Sequence, residues 1–523
     1  MLGNLFSVAG YTLLSRVTGF LRDVMLGAVL GAGMLADAFY VAFRLPNHFR
    51  AIFGEGAFNA AYVPTYSQVV EQEGAAEAKH FASQIATLLL GSQLILLALA
   101  WLFMPQLVAL LAPGFDADPE KFATAVALTR ITFPYLLFIT LVTLHSGTLN
   151  AQRHFAAAAF APVLLNLAMI CALALAFLFP SAAHAAAWGV TISGLLQLLL
   201  VMAAARRAHV MAGLARPRWS ADVKRFFTTM GPAVIGSAGV QIALFADTII
   251  ASLLPTGAVS SIYYADRLYQ LPIGVIGIAA GTVLLPEMSR RFAAGDAGGA
   301  FEAQNRTMAI TIALCAPFAV AFLMIPEAIM RGVFLRGAFS AEAAQASAQV
   351  LAAYGSGLMA VVLIRSAVAS FQSQGDTRTP MMVSLCAVAL NVVVKLFLYQ
   401  PLGAAGLALA TSLGAWLNFG ALTWLALRAG HIKPDRQLAK VGLAVAGASG
   451  LLALVALFWA TPARAIAEAA GLFRNEIELA VLGLAGACAY GLALYGALSL
   501  LGAPLRRATK NSAPEPSPGG AHD

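Results

Sequence analysis

Charge is what this chain has least of. Only 11% of its 523 residues are Asp, Glu, Lys or Arg, while 60% are hydrophobic. That balance excludes an ordinary soluble domain. The apolar runs lack short segments of alternating polarity, which excludes a membrane β-barrel. Cys171, Cys315, Cys386 and Cys488 fall inside apolar runs without paired spacing. They read as small core residues, neither disulfides nor metal ligands. There is no phosphate-cradling G-x-x-x-x-G-K-[ST] loop, no H-E-x-x-H zinc helix and no G-x-S-x-G nucleophile elbow. The expectation is therefore not an enzyme. Energy for any transport must come from an ion gradient, the membrane potential, a substrate gradient or a separate partner. No A-x-A-like cleavage site ends the first apolar run, so it is expected to be a retained first span.

Spanning length is what the chain has in abundance. A crossing needs about 20 mainly apolar residues, and the runs and their polar breaks give about fourteen. Their centres lie near Thr18, Leu45, Leu96, Phe138, Met169, Gln197, Leu244, Gly274, Pro317, Val361, Leu390, Ala415, Leu454 and Gly486. The predicted fold class is an all-α polytopic membrane protein. One set of loops is basic, with Arg153, then Arg206, Arg207, Arg216, Arg218, Lys224 and Arg225, then Arg290, Arg291 and Arg306. The alternate loops at 31–34, 180–187, 255–260 and 400–404 carry no Lys or Arg. With an even number of spans, this asymmetry puts both termini in the cytoplasm. The basic residues flank membrane segments rather than gathering on a soluble domain, so no nucleic-acid partner is expected.

An offset of about 222 residues brings two parts of the chain into register. Tyr62-Val63-Pro64 falls on Leu284-Leu285-Pro286, and Asn150-Ala151-Gln152 on Gln372-Ser373-Gln374. With a small drift, Met104-Pro105-Gln106 resembles Ile325-Pro326-Glu327, and Pro113-Gly114-Phe115 resembles the Gly337-Ala338-Phe339 region. Pro and Gly punctuate helices everywhere, so the collinear order carries the argument. Each repeat holds about six spans, an even number, so both enter the membrane in the same orientation. The substrate site is then expected between an N-half at 1–217 and a C-half at 218–436. Two additional spans occupy 437–503, and 504–523 is expected to be a disordered cytoplasmic tail.

Against the general scarcity, the first two runs hold Arg16, Arg22, Arg44 and Arg50, with acids at Asp23, Asp37 and Glu55. A charge near the bilayer centre costs about 3 kcal/mol on insertion scales, so such residues face a protein interior or a watery cavity. Clustered cations suggest a cavity for an anion. Arg16 and Arg22 lie about 120° apart on an ideal helix and share a face only if the helix bends, for which Gly19 offers a place. Arg44 and Arg50 have the same spacing, with Pro46 between them. The positions in register in the C-half are Ala238, Leu244, Asp266 and Pro272, and that half contributes Arg267 within Tyr263-Tyr264-Ala265-Asp266-Arg267.

A guanidinium donates two parallel hydrogen bonds to one phosphoryl group and stays charged. Several converging on one cavity suit a diphosphate. The alternative is that the arginines pair with Asp23, Asp37, Glu55 and Asp266 to lock helices, or that Arg44 or Arg50 snorkels to the interface. Asp37, near the outer end of the second span, either gates that side by pairing with a cation or orients a helix. Ser15 and Asn47 offer hydrogen bonds to a substrate or to neighbouring helices. A second polar group belongs to the C-half: Asp247, then Gln372 with Asp376, then Asn391. Such oxygens suit Na⁺, or Asp247 suits a proton. An interhelical network, with Lys395 and Arg365 neutralising the acids, is the competing reading.

Several strings carry a family resemblance. They are Ser15-Arg16-x-x-Gly19-Phe20-x-Arg22-Asp23, Gly31-Ala32-Gly33, Asp37-Ala38-Phe39, Leu45-Pro46-Asn47 and Arg50-x-Ile52-Phe53-x-Glu55-Gly56-Ala57-Phe58. Thr132-Phe133-Pro134-Tyr135, Tyr263-Tyr264-Ala265-Asp266-Arg267 and the 277–286 stretch extend them. Together they closely resemble the MurJ (MviN) lipid II flippase family over nearly the whole chain.

The resemblance implies the fourteen-helix fold of the multidrug/oligosaccharidyl-lipid/polysaccharide exporter superfamily, in the bacterial inner membrane. It implies flipping of lipid II, an undecaprenyl-diphosphate-linked disaccharide-pentapeptide, to the outer leaflet for peptidoglycan synthesis. Membrane lipids and the cell-wall synthesis machinery are the implied partners. By the same resemblance Arg16, Arg22, Arg50 and Arg267 are cavity arginines, and Asp37 and Glu55 are functional. The last two spans form a lipid-tail groove, and a Na⁺ site maps onto Asp247 and Asp376, with Gln372 where an asparagine can occur. Na⁺ or the membrane potential is the expected energy source. A flippase for another polyprenyl-diphosphate glycan would share the arginines. An ion-coupled multidrug exporter would share the fold but favour acids and aromatics in its cavity.

Overall fold

In hydrocarbon a backbone must satisfy its own hydrogen bonds, and a long apolar run does so as a helix. The computed structural model describes residues 2–50, 58–471 and 473–503, and all regular structure among them is helical. The chain opens with α1 (Leu2–Leu30), α2 (Met34–Arg50), α3 (Phe58–Glu73), α4 (Ala75–Leu102), α5 (Met104–Leu111), α6 (Pro119–Thr132) and α7 (Tyr135–Ala151). It continues through α8 (Ala156–Ala174), α9 (Ala182–Arg207), α10 (Ala221–Ser252), α11 (Ala258–Pro272), α12 (Ile278–Ala293) and α13 (Ala297–Met324). The last elements are α14 (Pro326–Phe334), α15 (Ala341–Gly355), α16 (Leu358–Gln372), α17 (Arg378–Arg428), α18 (Arg436–Ala470) and α19 (Arg474–Leu500). A π-helical turn at Ile273–Gly277 joins α11 to α12.

Short polar residues in the loops start many of these helices by capping a free N–H. Asp118, Ser181, Ser220, Asp296, Ser340 and Asp435 all accept from a backbone N–H three residues on. Ten helical stretches among the described residues are long and apolar enough to cross a membrane. One of them, α17, has 51 residues and is broken at Gly403, where φ is 57°. Its two arms fold back on each other, with Gly414 against Asn391 and Gly406 against Leu398. It therefore supplies two crossings. Helices α1 and α10, of 29 and 32 residues, and the shorter α2 and α3 lie outside that set, and the architecture is consistent with the expected fourteen.

Helix bounds recur along the chain. Helices α4, α5 and α6 begin at Ala75, Met104 and Pro119, and α13, α14 and α15 begin at Ala297, Pro326 and Ala341. In each set a long helix stops, a short one starts with a proline in its first turn, and a capped helix follows.

The largest core runs through α1, α2, α4 to α11 and α13 to α17. Near the C-terminal end of α1 it contains an aromatic cluster. Tyr264 contacts Tyr40, Phe334 and Phe339 at ring-centroid distances of 5.6, 5.0 and 5.1 Å. Helices α18 and α19 pack together and onto α13 through Val441, Ala448, Leu452 and Tyr490. Elsewhere the exterior is strongly apolar, with Leu99, Phe177, Trp188, Phe397 and Phe458 all exposed. Such a surface fits lipid, not water.

Two expectations need correction or fall outside the described residues. Of the cysteines, only Cys315 is buried, and Cys171, Cys386 and Cys488 lie on helix exteriors as free thiols. In a membrane an apolar exterior position suits a thiol as well as a core does, and hydropathy does not separate the two. The tail at 504–523 and Glu55 lie outside the described residues.

Gly31 ends α1 with φ 68°, and a Cβ there would stand 2.5 Å from the Ala338 carbonyl oxygen. A left-handed conformation costs a non-glycine residue about 1–2 kcal/mol even without a clash. Gly31→Ala is expected to lower the thermal midpoint of the purified protein by several degrees. Gly33→Ala, where a Cβ meets nothing within 4 Å, is expected to leave it unchanged.

Candidate functional site

The intramembrane charges converge on two adjoining cavities. The larger, of about 670 Å³, is lined by Ser15, Arg16, Arg22 and Asp23 of α1, by α7 and α8, and by Arg50, Arg267, Gly274 and Arg365. The smaller, of about 460 Å³, is lined by Arg44, Asn47 and Arg50 of α2, Asp247 of α10, Asp266 and Arg267 of α11, and Lys395. Arg22, Arg50 and Arg267 line both and so stand on their common boundary. Together the linings hold seven cations, Arg16, Arg22, Arg44, Arg50, Arg267, Arg365 and Lys395, against three acids, Asp23, Asp247 and Asp266. The surplus is positive.

Each arginine is held differently. Arg22 is buried and donates to Asp23 at 2.7 and 3.0 Å and to Asn166 Oδ1 at 2.9 Å. Asp23 also accepts from the Tyr263 hydroxyl at 3.1 Å, which ties α1 to α11. Arg267 pairs with Asp266 at 3.1 Å and lies over the Tyr263 ring at 4.8 Å. Arg50 donates to Asn47 Oδ1 at 3.1 and 3.2 Å. Arg44 donates to Thr248 Oγ1 at 2.6 Å, so neither Arg44 nor Arg50 snorkels away. Among the described residues Arg16 and Arg365 make no hydrogen bond or ion pair. Both are exposed to the larger cavity. The pairing and anion-site readings thus divide the set, because a carboxylate partly neutralises Arg22 and Arg267 but not Arg16 or Arg365.

The expected bend at Gly19 takes another form. Helix α1 runs unbroken, and Gly19 makes room for Asn166, whose amide nitrogen would be 3.4 Å from a Cβ there. Asn166 donates to the Ser15 carbonyl at 2.9 Å and to Thr18 Oγ1 at 3.1 Å while accepting from Arg22. It is a site residue that the sequence reading missed. A single amide within the apolar α8 was its only signal.

Asp37 lies outside both cavities. It is fully buried and accepts from Lys121 Nζ at 2.9 Å, Gly257 N at 2.8 Å, Ser260 N at 2.9 Å and Ser260 Oγ at 2.8 Å. Lys121 is also buried, 4.2 Å from the Phe115 ring centroid. Other contacts join the same end: Ala338 N donates to Ala28 O at 2.7 Å, and the Tyr264 hydroxyl to Gly31 O at 2.9 Å. Lys121 was also missed, because it follows Pro119 at a helix start and reads as an interfacial lysine.

The expected cation site does not assemble. Asp247 is bonded by Lys395. Asp376 instead caps α17, accepting from Thr379 N at 3.0 Å. Hydrogen bonds from the Thr379 backbone and hydroxyl hold its carboxyl below the usual range. Gln372 is exposed at the end of α16. Arg378 and Lys395 are separated by roughly 25 Å of continuous helix, so Asp247 and Asp376 are far apart. No group of His, Cys, Asp or Glu among the described residues is arranged to hold a metal ion. These residues do not fit a shared Na⁺.

Removing Asp37 would leave a buried, uncompensated ammonium, a loss of about 3–5 kcal/mol. Asp37→Ala is therefore expected to destabilise the closed junction of α2, α6 and α11, and Asp37→Ala/Lys121→Met to recover part of the loss. A cysteine placed at buried Val259, on the smaller cavity, reports this through an impermeant thiol reagent. Labelling should rise in the single variant. Equal labelling with and without Asp37 would remove it from the closure.

A family profile described as "Lipid II flippase MurJ" matches residues 26–473. A relative from Rhizobium meliloti (strain 1021), described as "Probable lipid II flippase MurJ", is 43% identical over 427 residues, 80% of this chain and 80% of its own. Among solved structures, "Lipid II flippase MurJ, inward closed conformation" superposes with a TM-score of 0.78 at 22% identity, covering 94% of this chain and 99% of that one. An inward-facing multidrug resistance MATE family transporter of the MOP superfamily gives 0.62 at 16% identity, covering 81% and 97%. The two structures share the fold. With the profile spanning most of the sequence and a relative this similar over four-fifths of both lengths, the chain belongs to the lipid II flippase MurJ family.

Proposed function

We propose that this protein flips lipid II from the inner to the outer leaflet of the bacterial cytoplasmic membrane by alternating access. The observation that carries the reading is the shared wall of Arg22, Arg50 and Arg267 between two cationic cavities. A diphosphate entering either cavity meets the same arginines, so it keeps charged partners as it moves from one to the other. Each guanidinium replaces water with fork-shaped donors.

In this reading residues 1–217 and 218–436 are two rocking halves, and the basic loops and both termini face the cytoplasm. The Asp37 cluster then closes the outer side. The polyprenyl chain stays in lipid or in an apolar cavity of about 500 Å³ lined by α13, α18 and α19, including Leu314, Phe318, Leu452 and Leu482. The cationic surplus of the empty site gives the membrane potential a charge to act on during reset. Enzymes that make the lipid-linked precursor inside and polymerise it outside are the functional partners of such a carrier.

The cavity charge argues against a carrier of cationic drugs, which would be repelled by seven cations set against three acids. A flippase for another polyprenyl-diphosphate glycan would share the arginines, and family membership favours lipid II.

In a flippase-depleted strain, Arg267→Ala is expected to fail to complement and to accumulate lipid II in the inner leaflet. Arg267→Lys should rescue poorly if the fork geometry matters. Arg365→Ala and Arg16→Ala should each reduce flipping, because no protein acid neutralises them. Full complementation by alanine at 16, 22, 50 and 267 would sink the proposal.

A further inference from the structure

One carboxylate in the smaller cavity is engaged by a cation that is not an arginine. Asp247 faces the cavity with its side chain 31% exposed, and the ammonium of Lys395 binds one of its oxygens. Lys395 is almost wholly buried on the first arm of α17. The next residue of α10, Thr248, accepts from Arg44 of α2. One turn before Lys395, the Asn391 side-chain oxygen is buried without a hydrogen-bond partner. Asp247 thus pairs with Lys395 in a cavity that Arg44 also lines.

A carboxylate inside a membrane carrier needs a counter-charge, taken either from solution or from the chain. An alkali ion needs several oxygens around it. Here an oxygen of the carboxylate is already occupied by Nζ, and Asp376 is roughly 25 Å of helix away. A bound Na⁺ would compete with an ammonium already on that carboxylate, in a cavity whose lining holds five cations, Arg22, Arg44, Arg50, Arg267 and Lys395, against Asp247 and Asp266. We propose that Lys395 is a tethered counter-cation standing where an alkali ion would otherwise sit at Asp247, so that this carrier binds no Na⁺ there. Its cavity charge is then fixed by covalent residues, and the cycle needs no sodium gradient. The inference rests on the flippase reading only for its transport arm.

The test uses the purified full-length protein. Thermal midpoints are compared in NaCl, KCl and choline chloride at equal ionic strength, together with binding of radioactive sodium. Wild type is expected to be indifferent to the cation and to bind no sodium. Lys395→Met exposes the carboxylate and is expected to gain sodium binding, with a midpoint about 5 °C higher in saturating NaCl than in choline chloride. Asp247→Asn/Lys395→Met should lose that response while restoring the yield of folded protein, if the single variant folds poorly. Sodium binding or stabilisation in wild type would overturn the proposal. So would a folded Lys395→Met that ignores sodium, or a double variant that folds no better than a failed single one. In the depleted strain, wild type should complement equally at low and high sodium. Failure to complement at any sodium level would count against the flippase reading and leave the binding result standing.

Discussion

A guanidinium in the membrane needs either a carboxylate or a polar cavity, and this structure gives different arginines different proportions of each. Arg22 is the most constrained. Asp23 and Asn166 hold its nitrogens, and Tyr263 ties the same carboxylate to α11. This node joins α1, α8 and α11 around the boundary of the two cavities. Without Asp23, Arg22 would be a nearly bare buried cation. Without Arg22, Asp23 would be a bare buried anion. Either loss would perturb the packing on which Arg16, Arg50 and Arg267 depend, since a broken buried pair is far more costly than an absent one.

The Asp37 cluster solves a related problem at the C-terminal end of α1 with opposite consequences. Four donors converge on one carboxylate that has no cavity exposure. Backbone N–H groups of Gly257 and Ser260 supply two of them, so the geometry depends on the turn before α11 as much as on Lys121. A carboxylate of α2 that accepts from both α6 and the start of α11 joins those three helices. Its strength lies in satisfied hydrogen bonds, which water can replace when the helices part. The adjacent aromatic contacts of Tyr264 add apolar area that favours closure.

The sequence made the membrane class, the family and the cationic cavity legible because each has a local signature: apolar length, continuous motifs, and charges where hydropathy forbids them. Partnership is not local. Lys121 meets Asp37 across 84 positions, and Asn166 meets Arg22 across 144. Neither distance leaves a periodic trace. The polar group of the C-half meets the same limit. Asp247 and Asp376 have the right chemistry and sit in plausible spans, yet α17 carries Lys395, not Asp376, to the level of Asp247. The suggestion that Lys395 neutralises an acid was correct for Asp247. Arg365, given the same role, instead lines the larger cavity with no acid of its own.

That difference leads to the π-helical turn. Gly274, Gly277 and Gly281 fall at the spacing of one helical face, and the turn at Ile273–Gly277 lies among them. Arg16 lies against Gly274, and Arg365 lies along Gly277 and Gly281. A Cβ at Gly274 would stand 2.6 Å from an Arg16 nitrogen, so a side chain there would displace the guanidinium. The glycines therefore let two unneutralised arginines, from α1 and α16, rest against one backbone segment. A wide turn is the weakest point of a helix, and such turns concentrate at functional sites. Arg267 lies on α11, immediately N-terminal to that turn. A change of pitch at the turn would shift Arg267 relative to Arg16 and Arg365 without breaking an ion pair, because neither of those two has one. Arg22 and Arg267 thus keep a carboxylate partner while lining both cavities, whereas Arg16 and Arg365 face the larger cavity with no acid paired to them.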